Sequence, residues 1–207
     1  MNVHTLLVGV VVVALMAAAL IPAFVPRALL FGTAILAGAA YLARRRAAPS
    51  APVLLRPAVE EDLHALAVLY AYAVHSLGPD FYSPAQVEAW ARFADEPEGF
   101  RRFVMGAHTL VAERDGEVVG FGGVDDTGHI VSLYVDPQGG RQGIGKTLLD
   151  ALIAWADEQG ITELRTEASE LSRALFAGHG FSVEEEESVE RAGVPLTRYR
   201  MVRGAPA

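Results

Sequence analysis

Ser132-Leu133-Tyr134-Val135-Asp136-Pro137-Gln138-Gly139-Gly140-Arg141-Gln142-Gly143-Ile144-Gly145-Lys146-Thr147-Leu148-Leu149 runs from an apolar strand through a glycine-rich loop into a helix. The strand spans His129–Val135 and is closed by Asp136-Pro137. The helix runs from about Gly143 to Gln159. Leu148, Leu149, Leu152, Ile153 and Trp155 recur at helical spacing on its buried side, and Gly160 caps it. Glycines between a strand and a helix let backbone approach a ligand closely. The free N–H groups of the helix start then point at an anion, and the helix dipole adds to them. Lys146, the only lysine of the chain, adds charge there. Residues 141–147 are therefore expected to hold a phosphate-bearing ligand: Arg141, Gln142, Gly143, Ile144, Gly145, Lys146 and Thr147. A glycine-rich connector without a ligand is the plainer alternative.

Gly140 to Thr147 also matches the nucleotide P-loop pattern G-x-x-x-x-G-K-[ST]. The flanking sequence argues against that fold. Thr109–Glu113 and Glu117–Val124 read as strands joined by Asp115-Gly116, a tight-hairpin signal, and are therefore antiparallel. The strand after the loop, Ile161–Glu167, is polar and does not end in the Asp that Mg²⁺ would need.

Upstream, Val53–Arg56 is a short strand stopped by Pro57. Leu63, Leu66, Leu69, Tyr70 and Val74 then mark a helix that ends at Gly78-Pro79. Ser83-Pro84 is an N-cap followed by Pro at the first helical position, and Val87, Trp90 and Phe93 follow. Phe100–Met105 is a further helical turn or two. Downstream, Ser172–His179 is a helix capped by Gly180, and two last strands flank Arg191-Ala192-Gly193. Tyr70, Tyr72 and Trp90 read as core rather than as a substrate box. Glu184–Glu187 reads as a solvated strand edge.

Here a resemblance becomes specific. Ser132–Pro137, Arg141–Lys146 and Leu148-Leu149 resemble the central motif of the GNAT superfamily of N-acetyltransferases. Ser172-Arg173-Ala174-Leu175-Phe176-Ala177-Gly178-His179-Gly180-Phe181 is similar to its second hallmark, a helix ending in Gly-Phe. Tyr82–Trp90 is similar to a segment of bacterial small-molecule acetyltransferases. The resemblance covers residues 53–203. It implies an α/β (α+β) fold with a mixed, mostly antiparallel central sheet flanked by helices, acetyl-CoA as co-substrate, and transfer to a primary amine of a small molecule or protein. It also implies that backbone N–H groups near Leu133, Tyr134 and Val135 hold the pantetheine and steady the oxyanion. Ser169, Ser172 and Phe176 would line the same arm, with Ser172 as an N-cap the equal alternative. His129 and Asp126, at the mouth of the strand, would be the general base, with a loop-edge surface histidine and a solvated Asp125-Asp126 turn as the plainer alternatives. His75 and Tyr82 lie where substrates enter this fold. Two positions depart from the family pattern: Gly140 replaces the usual Gln or Arg, and Phe176 replaces an often present Tyr proton donor. Phe176 motivates a second reading, a non-catalytic acyl-CoA sensor; the P-loop hydrolase is a third.

The chain is 52% hydrophobic, unevenly so. Residues 1–52 hold no acidic residue and only Arg27, Arg44, Arg45 and Arg46 as basic ones. The other 13 basic and all 25 acidic residues lie beyond Pro52, a net charge of −12 with His neutral. Such a domain repels nucleic acid and favours cationic or neutral substrates. The absence of cysteine excludes disulfides, thiolate metal sites and a Cys acyl-enzyme. Six scattered His residues show no metal spacing, so no metal is expected. Leu6–Val25 and Ala28–Ala43 are apolar runs; Pro22 and Pro26 bracket a break between their bodies, with Arg27 beside it. The runs predict a transmembrane hairpin over 1–46, with one long anchor as the alternative; a secretory signal peptide is disfavoured by the missing basic n-region and the length of the apolar stretch. Arg44–Arg46 would place the catalytic domain in the cytoplasm. Residues 47–52 form a linker, and 53–203 the acetyltransferase domain.

Overall fold

The structure, a computed structural model, describes residues 51–139 and 142–204. Among these, the elements run β1 Leu54–Pro57, α1 Leu63–Leu77, α2 Pro84–Ala91, α3 Pro97–Met105, β2 His108–Arg114, β3 Glu117–Val124, β4 Ile130–Val135, α4 Ile144–Glu158, β5 Leu164–Ala168, α5 Arg173–Ala177, β6 Ser182–Arg191 and β7 Val194–Arg203. The strands do not make one sheet. β1-β2-β3-β4 form a four-stranded sheet and β5-β7-β6 a three-stranded one, every pairing antiparallel. A P-loop hydrolase, built on a mostly parallel sheet, does not fit this pairing.

Local chemistry explains the elements. Asp115 and Gly116 both take positive φ, 55° and 80°, as a two-residue hairpin turn demands. Ser83 caps α2 reciprocally: its hydroxyl accepts from Gln86 N at 3.4 Å, and Gln86 Oε1 accepts from Ser83 N at 2.9 Å. Helix α3 starts at Pro97, earlier than Phe100, because Pro suits the first helical position. On one face of the four-stranded sheet, Leu66, Leu69, Tyr70 and Val74 of α1 pack with Phe100, Val104, Val111 and Phe121. On the other, Leu148, Leu149, Leu152 and Ala156 of α4 are all wholly buried. Helix α4 lies close because β3 carries glycines there. A Cβ at Gly122 would stand 3.1 Å from Leu152 Cδ1 and from Leu133 Cδ1.

One ion cluster pins β1 to the start of α1. Arg56 donates from Nη1 and Nη2 to Asp62 at 2.6 and 2.7 Å, and from Nε to Glu113 at 2.8 Å. Asp62 also accepts from Val59 N at 2.8 Å. Arg56 beside Asp62 holds its carboxyl below the usual carboxylate range. A depressed folded pKa gives stability that is present above the ordinary range and lost as pH falls through the folded value. Asp62→Asn should therefore cost about 1–3 kcal/mol at neutral pH, and the gap to wild type should close in acid. Urea unfolding at pH 7 and at the lowest pH where the fold persists checks this; an equal gap at both would contradict it.

The expected membrane location, with a cytoplasm-facing domain, is corrected. Among the described residues no helix is long and apolar enough to cross a membrane. The apolar runs of 1–46 on which that expectation rested lie outside the described residues.

Candidate active site

A cleft opens where the two sheets meet. Gly123 pairs with Ser132 and Val124 with Ile130, so Val131 is an extra residue in β4. Such a bulge bends the strand and re-aims it. Beside the bulge, β4 and β5 touch in parallel. His129 bridges Arg165, Arg165 N donates to Gly128 O at 3.0 Å, and Thr166 Oγ1 donates to Ile130 O at 3.0 Å. Beyond these contacts the strands part. Asp136 N donates to Val119 O at 3.0 Å. Because antiparallel pairs alternate, the backbone N–H groups of Leu133 and Val135 turn away from β3 and into the cleft.

The start of α4 borders the same cleft. Gly143 takes φ +79°, strained for any side chain, and among the described residues beyond its chain neighbours nothing lies within 4 Å of where a Cβ would stand. Thr147 closes the first turn, donating from N and Oγ1 to Gly143 O at 2.9 and 3.1 Å. The amides of Ile144, Gly145 and Lys146 precede it and have no intrahelical acceptor. Gly145 lines the cleft against Leu175. Lys146 Nζ pairs with Asp150 Oδ2 at 2.6 Å, one turn further on and exposed. Gln142 accepts from Arg114. Arg141 and Gly140 lie outside the described residues.

The cleft widens into a cavity of about 460 Å³. One end is bounded by Leu133, Val135, Gly145, Ser172, Leu175 and Phe176, the other by Tyr70, Tyr82, Trp90, Phe93, Phe103 and Tyr134. Tyr70 and Tyr134 lie 4.5 Å apart by ring centroid, and Trp90 Nε1 donates to Tyr134 Oη at 3.4 Å. Burial pushes the phenols of Tyr70, Tyr82 and Tyr134 up, so all three stay neutral donors. Of the three residues expected in the core from their spacing, Tyr70 and Trp90 also form wall, and Tyr72 is instead 43% exposed. Periodicity marks a buried face without saying what that face meets.

His129 is held at the β4–β5 contact. Its Nε2 lies 2.8 Å from Glu167 Oε2, and its backbone N donates to Asp125 Oδ1 at 3.0 Å. Glu167 lines the cavity and His129 stands behind it. The hydrogen bond from His129 holds the Glu167 carboxyl below its ordinary value, with Arg198 and Arg165 adding to the effect. Asp126 is exposed in the 125–128 turn, outside the cavity. The aspartate that orders the turn is Asp125, which also accepts from Thr127 N at 2.9 Å and Thr127 Oγ1 at 2.6 Å. Glu167 carried no sequence signal of its own, since only the β4–β5 contact brings it to His129.

Tyr82 reaches the cavity: its hydroxyl donates to Thr197 O at 3.4 Å and accepts from Glu170 N at 3.0 Å. His75 is exposed on α1, away from the cavity lining. Ser169 and Ser172 both line the cavity and bond to each other, Oγ to Oγ, at 3.1 Å. Phe176 is buried edge-on against Phe181, with centroids 5.2 Å apart. Among the described residues no group of three or more His, Asp or Glu side chains is arranged to hold a metal ion.

With this geometry in view, residues 80–203 match the family model of the acetyltransferase (GNAT) domain. The N-acetyltransferase YafP of Escherichia coli (strain K12) is 29% identical over 68% of this chain and 88% of its own. An aminoglycoside N(6')-acetyltransferase type 1 of Stenotrophomonas maltophilia is 31% identical over 55% of this chain and 90% of its own. Among solved structures, a GCN5-related N-acetyltransferase from Rhodopseudomonas palustris superposes with TM-score 0.72 at 32% identity, covering 75% of this chain and 98% of its own. The PaiA N-acetyltransferase from Thermoplasma acidophilum, solved in complex with coenzyme A, shares the fold with TM-score 0.62 at 21% identity, covering 74% and 99%. The mixed α+β fold, its antiparallel sheets flanked by helices, and a family match over more than half of the sequence lead to one conclusion: the chain belongs to the GNAT family and is an N-acetyltransferase.

Proposed function

We propose that the enzyme transfers the acetyl group of acetyl-CoA to a primary amine, with the co-substrate in the β4–β5 cleft and the amine in the aromatic end of the cavity. The observation that carries this is the continuity of the cavity. Unpaired strand amides and a helix start border one end, and an enclosed wall with a carboxylate borders the other. The residues fit the co-substrate. The helix start at Gly143, with the free amides of Ile144 to Lys146, suits a diphosphate. The amides of Leu133 and Val135 suit a pantetheine arm and a developing oxyanion, with Ser169 and Ser172 alongside. Lys146 can leave Asp150 for phosphate at little cost, because exposed pairs are worth about 0–1 kcal/mol. The PaiA structure with coenzyme A and the aminoglycoside-acetylating relative support both halves of this reading.

Acetyl-CoA supplies the activated acetyl group; its transfer forms an amide and releases the CoA thiol. Glu167 accepts the proton that the amine sheds as it attacks, and His129 holds Glu167 ionised and in place. Phe176 lies beside the sulfur without donating a proton. Phe176→Tyr is thus expected to raise kcat, because a hydroxyl there can protonate the thiolate. Stopped assays of both enzymes over pH check it, and an unchanged or lower kcat with intact CoA affinity would remove Phe176 from the sulfur's surroundings. The proposal as a whole is tested by free CoA release from acetyl-CoA with a panel of amino acids, polyamines, aminoglycosides and N-terminal peptides. Turnover with at least one amine is expected, and tight CoA binding without any turnover would sink it.

A further inference from the structure

The acidic surface suggests a cationic acceptor, but the cavity does not share that charge. Among the described residues, three charged side chains line it: Glu167, Arg191 and Arg198. Glu167 is engaged by His129 at 2.8 Å, and Arg198 donates from Nε to Glu187 at 2.5 Å. Arg191, at the end of β6 where the hairpin turns into β7, has no carboxylate within ion-pair distance among the described residues. It lines the same cavity as Tyr70, Trp90 and Tyr134. Ser132, 4% exposed, lines the same space with a hydroxyl that bonds to no described residue. A half-buried guanidinium with no carboxylate partner keeps its planar donors available to an anion that enters the cavity.

Resting on the acetyl-transfer reading above, the structure assigns Arg191 as the residue that selects the acceptor: a primary amine on a flat apolar body that carries one carboxylate. The flat body lies against Tyr70, Trp90 and Tyr134. The amine faces Glu167, and the carboxylate meets the Arg191 guanidinium, whose planar fork matches it. A polycation meets two arginines and one engaged carboxylate, and is disfavoured.

The test compares 4-(aminomethyl)benzoate, benzylamine and spermidine with wild type, Arg191→Gln and Arg191→Lys. Two readouts are used: kcat/KM for CoA release, and binding to the CoA-loaded protein by calorimetry. Wild type should favour the benzoate over benzylamine by about 10- to 100-fold in both, the range for one charge-assisted hydrogen bond. Arg191→Gln should bring that ratio close to one, and Arg191→Lys should recover part of it. CoA affinity, measured separately, should be the same in all three proteins. A wild-type ratio near one, a ratio that survives Arg191→Gln, or a preference for spermidine would overturn the assignment while leaving acetyl transfer standing. If CoA fails to bind at all, the cleft reading fails instead; the binding ratio for the two amines, measured without CoA, then decides the role of Arg191 alone.

Discussion

Gly143→Asp is expected to abolish acetyl-CoA binding while leaving the fold intact. Two effects act together. Gly143 sits at φ +79°, where a side chain is strained by roughly 1 kcal/mol or more. The new carboxylate would also stand in the open space over the amides of Ile144 to Lys146, where the diphosphate is proposed to lie, and would repel it. The folded state should persist, because among the described residues beyond its chain neighbours no atom lies within 4 Å of the added Cβ. Calorimetry with CoA, alongside circular dichroism, reads both consequences. Unchanged affinity in a folded variant would put the diphosphate elsewhere.

The second large effect concerns the pair at the β4–β5 contact. Glu167→Gln should lower kcat by about 10²–10⁴-fold, the usual worth of a general base. His129→Ala acts through Glu167, so its signature is in the pH profile. The hydrogen bond from His129 depresses the Glu167 pKa. Removing it lets that value rise, and the acidic limb of kcat against pH should move to higher pH, with a lower plateau because Glu167 is no longer held. His129→Gln, which keeps a hydrogen-bond donor, should recover part of the rate. A His129→Ala enzyme with wild-type rates at every pH would remove the pair from the mechanism.

What the sequence disclosed and what it hid divide along physical lines. Features fixed by neighbours in the chain were legible. Asp115-Gly116 turns as its residue types require, Ser83 and Gln86 cap each other, and Gly143 begins a helix with a backbone that glycine favours. Features made by distant contacts were not. The bulge at Val131 adds one residue to β4 and leaves no compositional mark, yet with the β4–β5 contact it opens the cleft. Nor did the pattern separate one sheet from two. The adjacent Asp125 and Asp126 look alike in sequence; the turn makes one an acceptor for three groups and leaves the other in solvent. Glu167 meets His129 from 38 residues away. Likewise, the −12 charge beyond Pro52 describes the surface and not the cavity, which holds two arginines and one glutamate.

The sensor reading drew on Phe176 alone. The proton that must reach the departing thiolate does not have to come from that position, and the family match is to enzymes. What distinguishes the site is where its amides point. A crystal structure of the protein with CoA tests the account most directly. The diphosphate is expected on the amides of Gln142 to Lys146, the pantetheine between β4 and β5 against Leu133 and Val135, and the sulfur beside Phe176 facing Glu167. CoA bound outside the β4–β5 cleft, or with its sulfur turned away from the aromatic end of the cavity, would contradict it.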